Sequence, residues 1–328
     1  MNDVAVTVMC ITYNQVQFVE RMIKGILSQQ TTFEFEVLIH DDASTDGTTE
    51  LLKEIEQRES LVHLICEANN RFADGIDYFS DEMLARSRGK YIAVCEGDDY
   101  WIDELKLQTQ YEYMEANPKC TFCAHAAVVF DGGDGSRIGS FGMGSTDLSF
   151  SAEDLARCWR IPTASCFYRA EDAMRYSNEW NFDAPVGDFP KAMYMTYHGY
   201  GHYSAREASA YTFGAPGSWT SLNRESELRQ ISSSRAWLSM LESIDLETGG
   251  DLHSALIENA KSKTIQLVSM LGREAELPYI ALEALRAFSL KQKLAVRLLR
   301  LLWIMGFKIC RKSWSGFHKW SIVRREKA

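Results

Sequence analysis

The chain lacks the signals that direct a protein out of the cytoplasm. Its N-terminus reaches an alternating apolar stretch within a few residues, without the basic region and long apolar run of a secretory signal. Its eight cysteines are scattered through apolar surroundings and do not form the framework that is typical of disulfide-rich domains. These absences predict free thiols in a reducing compartment and a cytoplasmic location.

Complete zinc and phosphate-loop motifs are also missing. The segment CTFCAH has Cys120, Cys123 and His125 at spacings compatible with zinc, but no second pair follows at the distance of a zinc finger. We therefore expect a core strand there. The glycine-rich segment DGGDGSRIGSFGMG lacks the fixed spacing of a Rossmann or phosphate-loop motif, and we expect it to be a flexible loop.

What the chain does contain is an alternation of strand-like and helix-like segments over its first 130 residues. The apolar runs VAVTVMCIT, FEVLIH, LVHLIC and GKYIAVC are typical of strands, and helix-like runs follow the first two. Strands alternating with helices predict parallel βαβ units, in which ligands bind at the carboxyl ends of the strands. With 328 residues, of which 46% are hydrophobic, the chain can bury a sizeable core.

Acidic and polar side chains stand at the ends of three of these predicted strands. Carboxylates that converge on one edge repel each other unless a cation or cationic ligand neutralises them, and oxygen ligands suit Mg²⁺ or Mn²⁺ shared with a phosphate. An Asp at a strand end can instead cap the next helix, so each cluster alone leaves both explanations open. Their joint occurrence favours the cation site. The residues are Asn14, Asp41, Asp42, Glu96, Asp98 and Asp99.

Three segments in this order resemble the N-terminal signature of the family 2 glycosyltransferases, which have the GT-A fold: ITYNQVQFVERMIKGILSQ, VLIHDDASTDGTTELL and GKYIAVCEGDDYW. The resemblance extends to glycosyltransferases of capsular and surface polysaccharides and covers about the first 105 residues. It implies an α/β fold, with a GT-A-type nucleotide-sugar-binding domain at residues 1–222 whose mixed, mostly parallel sheet is flanked by helices. A helical region at 223–290 and a basic amphipathic tail at 291–328 are predicted to follow.

The resemblance implies how a nucleotide-sugar donor is held at the first two strand ends. Thr12 and Tyr13 would line the nucleobase pocket, while Asp42 would contact the base and Asp41 would support it. Ala43 stands where the family usually has Gly, a small-for-small change that we expect to be harmless.

The EGDD segment matches the family's DxD-type motif. By this resemblance Asp98 and Asp99 would hold Mn²⁺ or Mg²⁺ and the ribose, with Glu96 at the leading acidic position. Glycosyl transfer expels a diphosphate, whose developing negative charge a divalent ion stabilises as a Lewis acid.

The acceptor hydroxyl must lose its proton as it attacks, which requires a further carboxylate. The resemblance favours Asp188, in APVGDFPKAMYM, as the general base of an inverting transfer, and Asp183 is the nearest alternative. Asp188 could also be only a helix N-cap, because Pro190 stands where a first helical turn tolerates proline.

Residues near the acceptor are predicted on weaker patterns. The segment IPTASCFYRAED resembles the acceptor-side strand of the family, so Thr163 and Ser165 would face the acceptor. Trp101 and Trp219 lie beside the predicted site in the sequence and could stack on sugar faces.

One segment departs from the family pattern. Many relatives have a sequence resembling YRxHxGG followed by Trp-Ser, whose basic residues can approach the diphosphate, but here Thr212 and Gly214 replace those groups. Either other residues hold the diphosphate, with Arg86, His198 and His202 as candidates, or the metal ion neutralises a larger share of its charge.

The tail has the opposite charge to the rest of the chain. From Lys291 onwards it contains eleven Lys or Arg and one Glu, or about +10, whereas the whole chain has a net charge of −10. Basic residues recur at helical spacing beside an apolar face, and the apolar run from Leu301 to Phe307 is far too short to span a bilayer. This pattern favours peripheral association with the anionic inner face of the membrane. Docking on the acidic body is the alternative, and the body's charge argues against nucleic acid as a partner.

The sequence thus predicts a metal-dependent, inverting glycosyltransferase that moves a sugar from a nucleotide-sugar donor to a saccharide or lipid-linked saccharide acceptor in surface polysaccharide biosynthesis. Two alternatives are a sugar-nucleotidyltransferase, whose N-terminal Gly-rich loop with Arg and Lys is missing, and an inactive sugar-nucleotide-binding scaffold. The intact acidic residues argue against the scaffold.

Overall fold

The computed structural model describes residues 4–71, 82–215, 218, 221, 226–271 and 277–289. The predicted tail at 291–328 and Trp219 lie outside the described residues. The chain forms two compact units that alternate along the sequence. We call the described residues within 4–151, 160–181 and 191–218 the sheet unit, and the described residues within 152–159, 182–190 and 221–289 the helical unit. The functional boundary near residue 222 stays a prediction.

The sheet unit contains a mixed sheet in the order β3-β2-β1-β4-β9-β6-β10-β5, with β7 paired to β6 and β8 paired to β10. Strands β3, β2, β1 and β4 are parallel, as are β6 and β10, while β9, β5, β7 and β8 run antiparallel to their partners. The strands are β1 (Val6–Thr12), β2 (Phe35–Asp41), β3 (Val62–Cys66), β4 (Tyr91–Val94), β5 (Tyr100–Trp101), β6 (Cys120–Asp131), β7 (Arg137–Phe141), β8 (Leu148–Phe150), β9 (Phe167–Arg169) and β10 (Tyr200–Phe213).

Helices complete the two units. Those that lie wholly in the sheet unit are α1 (Val16–Leu27), α2 (Thr48–Arg58), α3 (Glu82–Arg86), α4 (Lys106–Ala116) and α6 (Ala170–Glu179), with a short 3-10 turn at Thr163–Ser165. The others are α5 (Ala152–Arg157), α7 (Asp188–Tyr197), α8 (Glu227–Glu247), α9 (His253–Leu271) and α10 (Tyr279–Arg286).

The four predicted N-terminal strands are confirmed as β1 to β4. Strands β1, β2 and β4 are almost wholly buried because their β-branched and apolar residues pack on both faces of the sheet, as parallel strands require. Helix α1 buries Val19, Met22 and Ile26, which recur at helical spacing. It approaches β5 so closely that a Cβ on Gly25 would lie 2.5 Å from the Trp101 carbonyl oxygen.

The CTFCAH segment forms the start of strand β6, as predicted, and the glycine-rich segment after it was wrongly predicted to be only a loop. Its second half forms β7, which pairs antiparallel with β6 over Ala127–Phe130. The Gly135 N–H donates to the Asp131 carbonyl at 2.9 Å, which closes the turn between the strands, whereas the Gly132 N–H donates to the Phe213 carbonyl of β10 at 2.9 Å.

The helical unit confirms the predicted helical region. Its helices α8 and α9 are separated at residues 248–252, and α10 begins after Pro278. Trp237 of α8 donates its indole N–H to Asn259 Oδ1 of α9 at 3.0 Å, and the Asn259 amide donates to the Ala156 carbonyl at 2.9 Å. Within the described ranges, no helix combines the length and apolarity that crossing a membrane requires.

Candidate functional site

The carboxyl ends of three parallel strands meet at one edge of the sheet unit. Thr12 at the end of β1 is in register with Asp41 at the end of β2, and Met9 of β1 is in register with Val94 at the end of β4. The polar residues that follow these strands are therefore neighbours. This edge is where open α/β sheets bind their ligands.

Asp41 is fully buried, and both of its carboxylate oxygens accept hydrogen bonds from neighbouring side chains. Its oxygens accept hydrogen bonds from the hydroxyls of Thr12 at 3.1 Å, Ser44 at 2.5 Å and Thr49 at 2.5 Å. These three hydrogen bonds fix the orientation of the Asp41 carboxylate. The arrangement agrees with a supporting role for Asp41, which stays a prediction.

The loops after β1 and β2 are joined by side-chain to backbone hydrogen bonds. The Asn14 N–H donates to Ser44 Oγ at 2.8 Å, and the Thr45 N–H donates to Asn14 Oδ1 at 2.8 Å. The Gln15 N–H donates to Thr48 Oγ1 at 2.9 Å. Short polar side chains thus satisfy backbone groups that no strand or helix pairs.

Asp42 and Tyr13 lie at this joined edge. The Asp42 N–H donates to the Thr12 carbonyl at 3.0 Å, and Asp42 Oδ1 accepts from the Arg71 N–H at 2.6 Å. Tyr13 follows Thr12 and is 44% exposed, so its ring is available to stack on a ligand. Thr12 is buried, with its hydroxyl directed to Asp41.

Residues 96–99, which we call the acidic turn, follow β4. The turn is closed by the Asp99 N–H, which donates to the Glu96 carbonyl at 3.1 Å, and the Gly97 N–H donates to the Ile11 carbonyl at 3.0 Å. A Cβ on Gly97 would lie 2.1 Å from Gln15 Oε1 and 2.7 Å from Thr12 Cγ2. Only glycine allows β1 and the start of α1 to approach the turn this closely.

The acidic turn is electrostatically unfavourable without a cation. Burial, together with the charges of Asp98 and Glu96, raises the pKa of Asp99 well above its usual range. Burial also raises the pKa of Asp98, although a hydrogen bond from the Gln15 side chain opposes this. Arg21 of α1 opposes the shift at Asp99, and its guanidinium lies 4.2 Å from the Tyr100 ring centroid.

Strand β10 also contacts the acidic turn, at a residue whose role the sequence did not predict. The Thr212 N–H donates to Asp99 Oδ1 at 3.0 Å, and the Thr212 hydroxyl donates to the Asp98 carbonyl at 2.7 Å. The other carboxylate oxygen, Asp99 Oδ2, is buried and has no hydrogen-bond partner among the described residues.

The environment of Asp99 Oδ2 indicates whether the acidic turn suits a metal ion. A buried carboxylate oxygen without a donor is costly, and a divalent cation would relieve that cost. No group of three or more His, Cys, Asp or Glu side chains converges to hold a metal ion within the described part of the chain, including around Cys120 and Cys123. The buried Oδ2 of Asp99, beside the carboxylate of Asp98, fits a divalent ion.

Two residues predicted to face the acceptor are instead buried in the sheet unit, so these predictions were wrong. Trp101 is 2% exposed, its indole N–H donates to the Ala164 carbonyl at 2.8 Å, and the Lys106 ammonium lies 3.9 Å from its ring centroid. Ser165 is fully buried and donates its hydroxyl to the Pro162 carbonyl at 2.6 Å. Thr163 is partly exposed, and its role stays a prediction.

The three basic residues considered for the diphosphate do not join the acidic turn. The His202 ring stacks on the Tyr113 ring, with centroids 3.6 Å apart. His202 lies ten residues before Thr212 on β10, which corresponds to about 30 Å along the strand at about 3.3 Å per residue. His198 precedes β10 and packs against the Tyr194 ring.

Arg86 also lies away from the carboxyl edge. It pairs with Glu82 at 2.7 Å and precedes a segment that enters the sheet at the opposite edge, where the Gly89 N–H donates to Thr7 Oγ1 at 2.9 Å near the start of β1. The structure therefore does not bring Arg86 to the predicted donor site.

Asp188 is the first residue of helix α7 and belongs to the helical unit. Its Oδ1 accepts from the N–H of Phe189 at 2.8 Å. The Phe189 ring stacks on Trp237 and meets Trp159 edge to face, with centroid distances of 5.1 and 5.4 Å. Asp183, the alternative base, is exposed.

A separate pocket of about 370 Å³ lies beside β5. The Ile102 N–H donates to the Ala208 carbonyl, four residues before Thr212 on β10, so this pocket is away from the acidic turn. Its charged lining includes Asp103 and Arg206, which pair with each other at 2.5 Å. The pocket is lined by Gln30, Ile102, Asp103, Glu104, Leu105, Arg206 and Glu207.

Solved structures with this architecture define the fold as GT-A. S. aureus TarS 1-349 in complex with UDP-GlcNAc aligns with a TM-score of 0.56 and 15% identity, covering 88% of this chain and 77% of that one. The mannosyltransferase PcManGT of Pyrobaculum calidifontis, in complex with GDP-Man and Mn²⁺, aligns with a TM-score of 0.54 and 15% identity, covering 100% of this chain and 91% of that one.

The sequence comparison gives the family. The model of glycosyl transferase family 2 matches residues 7–173, about half of the chain, and the protein belongs to this family. The match includes the first two strand-end loops and the acidic turn, but it ends before Asp188 and Thr212.

Three curated relatives are similar over shorter ranges. An uncharacterised protein of Mycobacterium tuberculosis (strain ATCC 25618 / H37Rv) is 35% identical over 50% of this chain and 47% of its own length. The putative teichuronic acid biosynthesis glycosyltransferase TuaG of Bacillus subtilis (strain 168) is 30% identical over 39% and 49%. The Escherichia coli UDP-Glc:alpha-D-GlcNAc-diphosphoundecaprenol beta-1,3-glucosyltransferase WfaP is 31% identical over 34% and 41%. The chain spans about half the length of the curated relatives it matches.

Ala43 provides a test of backbone strain at the site. Its φ is +60°, so the alanine that we expected to be harmless has a left-handed backbone, which costs an L-residue about 1–2 kcal/mol. Glycine removes this cost but loses more chain entropy on folding. We predict that Ala43→Gly raises the free energy of unfolding by about 0.5–1 kcal/mol, measured by urea denaturation.

Ala116→Gly is the matched control, because Ala116 is exposed in the last turn of α4. Glycine in a helix is destabilising, so this variant should have a lower free energy of unfolding. A loss of stability in both variants would contradict the strain at Ala43.

Proposed function

We propose that the protein is a metal-dependent, inverting glycosyltransferase that uses a nucleotide-sugar donor. The observation that carries the proposal is the acidic turn at the carboxyl edge, where Asp99 Oδ2 is buried and no described residue donates a hydrogen bond to it. Family membership supports glycosyl transfer, and the named activities of TuaG and WfaP agree with it.

The donor would lie along the edge from Tyr13 to the acidic turn. Tyr13 offers an exposed ring for the nucleobase, and Asp42 is held in place by the Thr12 carbonyl and the Arg71 N–H. Asp98 and Asp99 would hold Mn²⁺ or Mg²⁺, which supplies Lewis-acid stabilisation of the leaving diphosphate. The complex of PcManGT with Mn²⁺ supports this choice of ion.

The proton of the acceptor hydroxyl would pass to the carboxylate of Asp188. The acceptor hydroxyl oxygen would attack the anomeric carbon on the face opposite the leaving diphosphate, which inverts the configuration at that carbon. The acceptor would be a saccharide or a lipid-linked saccharide in surface polysaccharide biosynthesis. The diphosphoundecaprenol acceptor in the name of WfaP supports the second form.

The first prediction concerns Asp99. Asp99→Asn keeps an oxygen for the Thr212 N–H but replaces the free Oδ2 with an amide. We expect the shift in melting temperature that Mn²⁺ adds to UDP or GDP binding to be lost. The melting temperature of the ligand-free variant should be unchanged or higher, because the pKa of Asp99 is raised and its charge opposes folding at neutral pH.

Asp103→Asn is the control for this change. Asp103 lies four residues beyond Asp99 and pairs with Arg206 at 2.5 Å, away from the acidic turn. The Asp103→Asn variant should keep the Mn²⁺-dependent shift in melting temperature. If Asp99→Asn also keeps that shift, the metal assignment is wrong.

The second prediction separates binding from proton removal. Asp188→Asn should bind the donor nucleotide like the wild type but transfer sugar at least about a hundredfold more slowly, as expected when a general base is removed. Single-turnover transfer rates and nucleotide affinities are the measurements. The same loss in Asp183→Asn, with normal transfer by Asp188→Asn, would identify Asp183 as the base instead.

The third prediction concerns the tail at 291–328, which lies outside the described residues. We propose that it binds the anionic inner face of the membrane peripherally, because each basic residue near such a surface contributes about 1 kcal/mol. Binding to vesicles should require anionic lipid and weaken as salt rises. Removing four charges from the full-length chain should weaken binding roughly a thousandfold. The changes are Arg297→Gln, Arg300→Gln, Lys308→Gln and Arg311→Gln.

Four exposed basic residues of the described chain provide the matched control, since their removal changes the net charge equally. This control should co-sediment with anionic vesicles like the wild type. Equal binding of both variants would contradict the tail's role, and salt-resistant binding of the wild type would indicate insertion. The control changes are Lys24→Gln, Lys53→Gln, Lys119→Gln and Arg160→Gln.

A further inference from the structure

Thr212, where the family resemblance implied a basic group, contacts the acidic turn twice. Its side chain is buried at the end of β10, next to the antiparallel pairing of β5 with Ser209 and Ala210. Thr212 lies beyond the family match, which ends at residue 173. We propose that Thr212 is the positioning residue that prepares Asp99 to bind the metal ion.

The first contact distinguishes the two oxygens of Asp99. The Thr212 N–H occupies Oδ1 at 3.0 Å and leaves Oδ2 without a hydrogen-bond partner in the described residues. The carboxylate is thereby held in one rotamer. A ligand whose orientation is fixed before binding loses less side-chain entropy when the ion arrives.

The second contact fixes the peptide that joins the two aspartates. Its carbonyl, on Asp98, accepts from the Thr212 hydroxyl at 2.7 Å, and its N–H, on Asp99, donates to the Glu96 carbonyl at 3.1 Å. Both polar groups of this peptide are therefore bonded. Removing the Thr212 hydroxyl therefore frees one side of the peptide.

Thr212 stands at a position where the family resemblance implied a basic residue. A buried threonine adds no positive charge, so the proposed ion neutralises a larger share of the diphosphate charge. The inference rests on the proposed function, since it concerns the same metal site. It adds that binding of the metal depends on Thr212, while metal-free nucleotide binding at Tyr13 and Asp42 does not.

Thr212→Val tests the inference because it removes the hydroxyl and keeps both the shape and the backbone N–H. The measurements are the affinity for Mn²⁺ in the presence of saturating UDP or GDP, by electron paramagnetic resonance, and the affinity for that nucleotide in EDTA. We expect Mn²⁺ affinity to fall about tenfold, the effect of one buried hydrogen bond, with nucleotide affinity in EDTA unchanged. Thr212→Ser, which restores the hydroxyl, should recover Mn²⁺ affinity.

Ser209→Ala is the matched control on the same strand. Ser209 is fully buried, and its hydroxyl has no hydrogen-bond partner among the described residues. Its Mn²⁺ affinity should equal that of the wild type. Normal Mn²⁺ affinity in Thr212→Val, or equal losses of Mn²⁺ and metal-free nucleotide affinity, would overturn the inference. If the wild type itself binds nucleotide without any effect of Mn²⁺, the proposed metal dependence fails instead.

Discussion

Burying Asp99 beside Asp98 costs free energy, because two carboxylates in a poorly solvated place repel each other and lose hydration. Neighbouring elements of the sheet unit contact the acidic turn that contains these two residues. β1 contacts the turn through the Ile11 carbonyl, α1 approaches it through Gln15 and Arg21, and β10 contacts it through Thr212. These contacts define the geometry of the turn, but within the described part of the chain Asp99 Oδ2 receives no hydrogen bond. The remaining cost favours a cation that binds from outside.

The first four strands could be predicted because each of them has a simple cause in the sequence. β-branched residues fill β1, β2 and β4, and polar turns end them where the chain leaves the sheet. The position of Asp41, Asp42 and the acidic turn at one edge follows from parallel strand direction alone. The antiparallel half was harder to predict, because β5, β8 and β9 have two or three residues and show no clear period.

Side-chain roles were less predictable than side-chain positions. Trp101 and Ser165 have the residue types of a sugar-binding surface, yet both are buried. The Trp101 indole bonds to a carbonyl 63 residues away, and the Ser165 hydroxyl bonds to the Pro162 carbonyl. In the sequence, Thr212 shows only the loss of a basic group. Its two hydrogen bonds to the acidic turn could not be predicted, because they join residues more than one hundred positions apart. A local pattern contains no signal for such contacts. The tight approach at Gly97 could have been a clue, since glycine before two acids indicates close backbone packing.

The donor edge is ordered by its own hydrogen bonds before any ligand is considered. Asn14 and Ala43 both have positive φ, at +52° and +60°, which is unusual outside glycine and costly for alanine. The loop is held in this conformation because Ser44, Thr45 and Thr48 bond across to residues after β1. Such strain persists only where surrounding contacts determine the backbone more strongly than local preference does. Because Asp42 is placed by the same contacts, its part of the edge needs little further ordering when a nucleotide binds, and more of the binding energy remains for affinity.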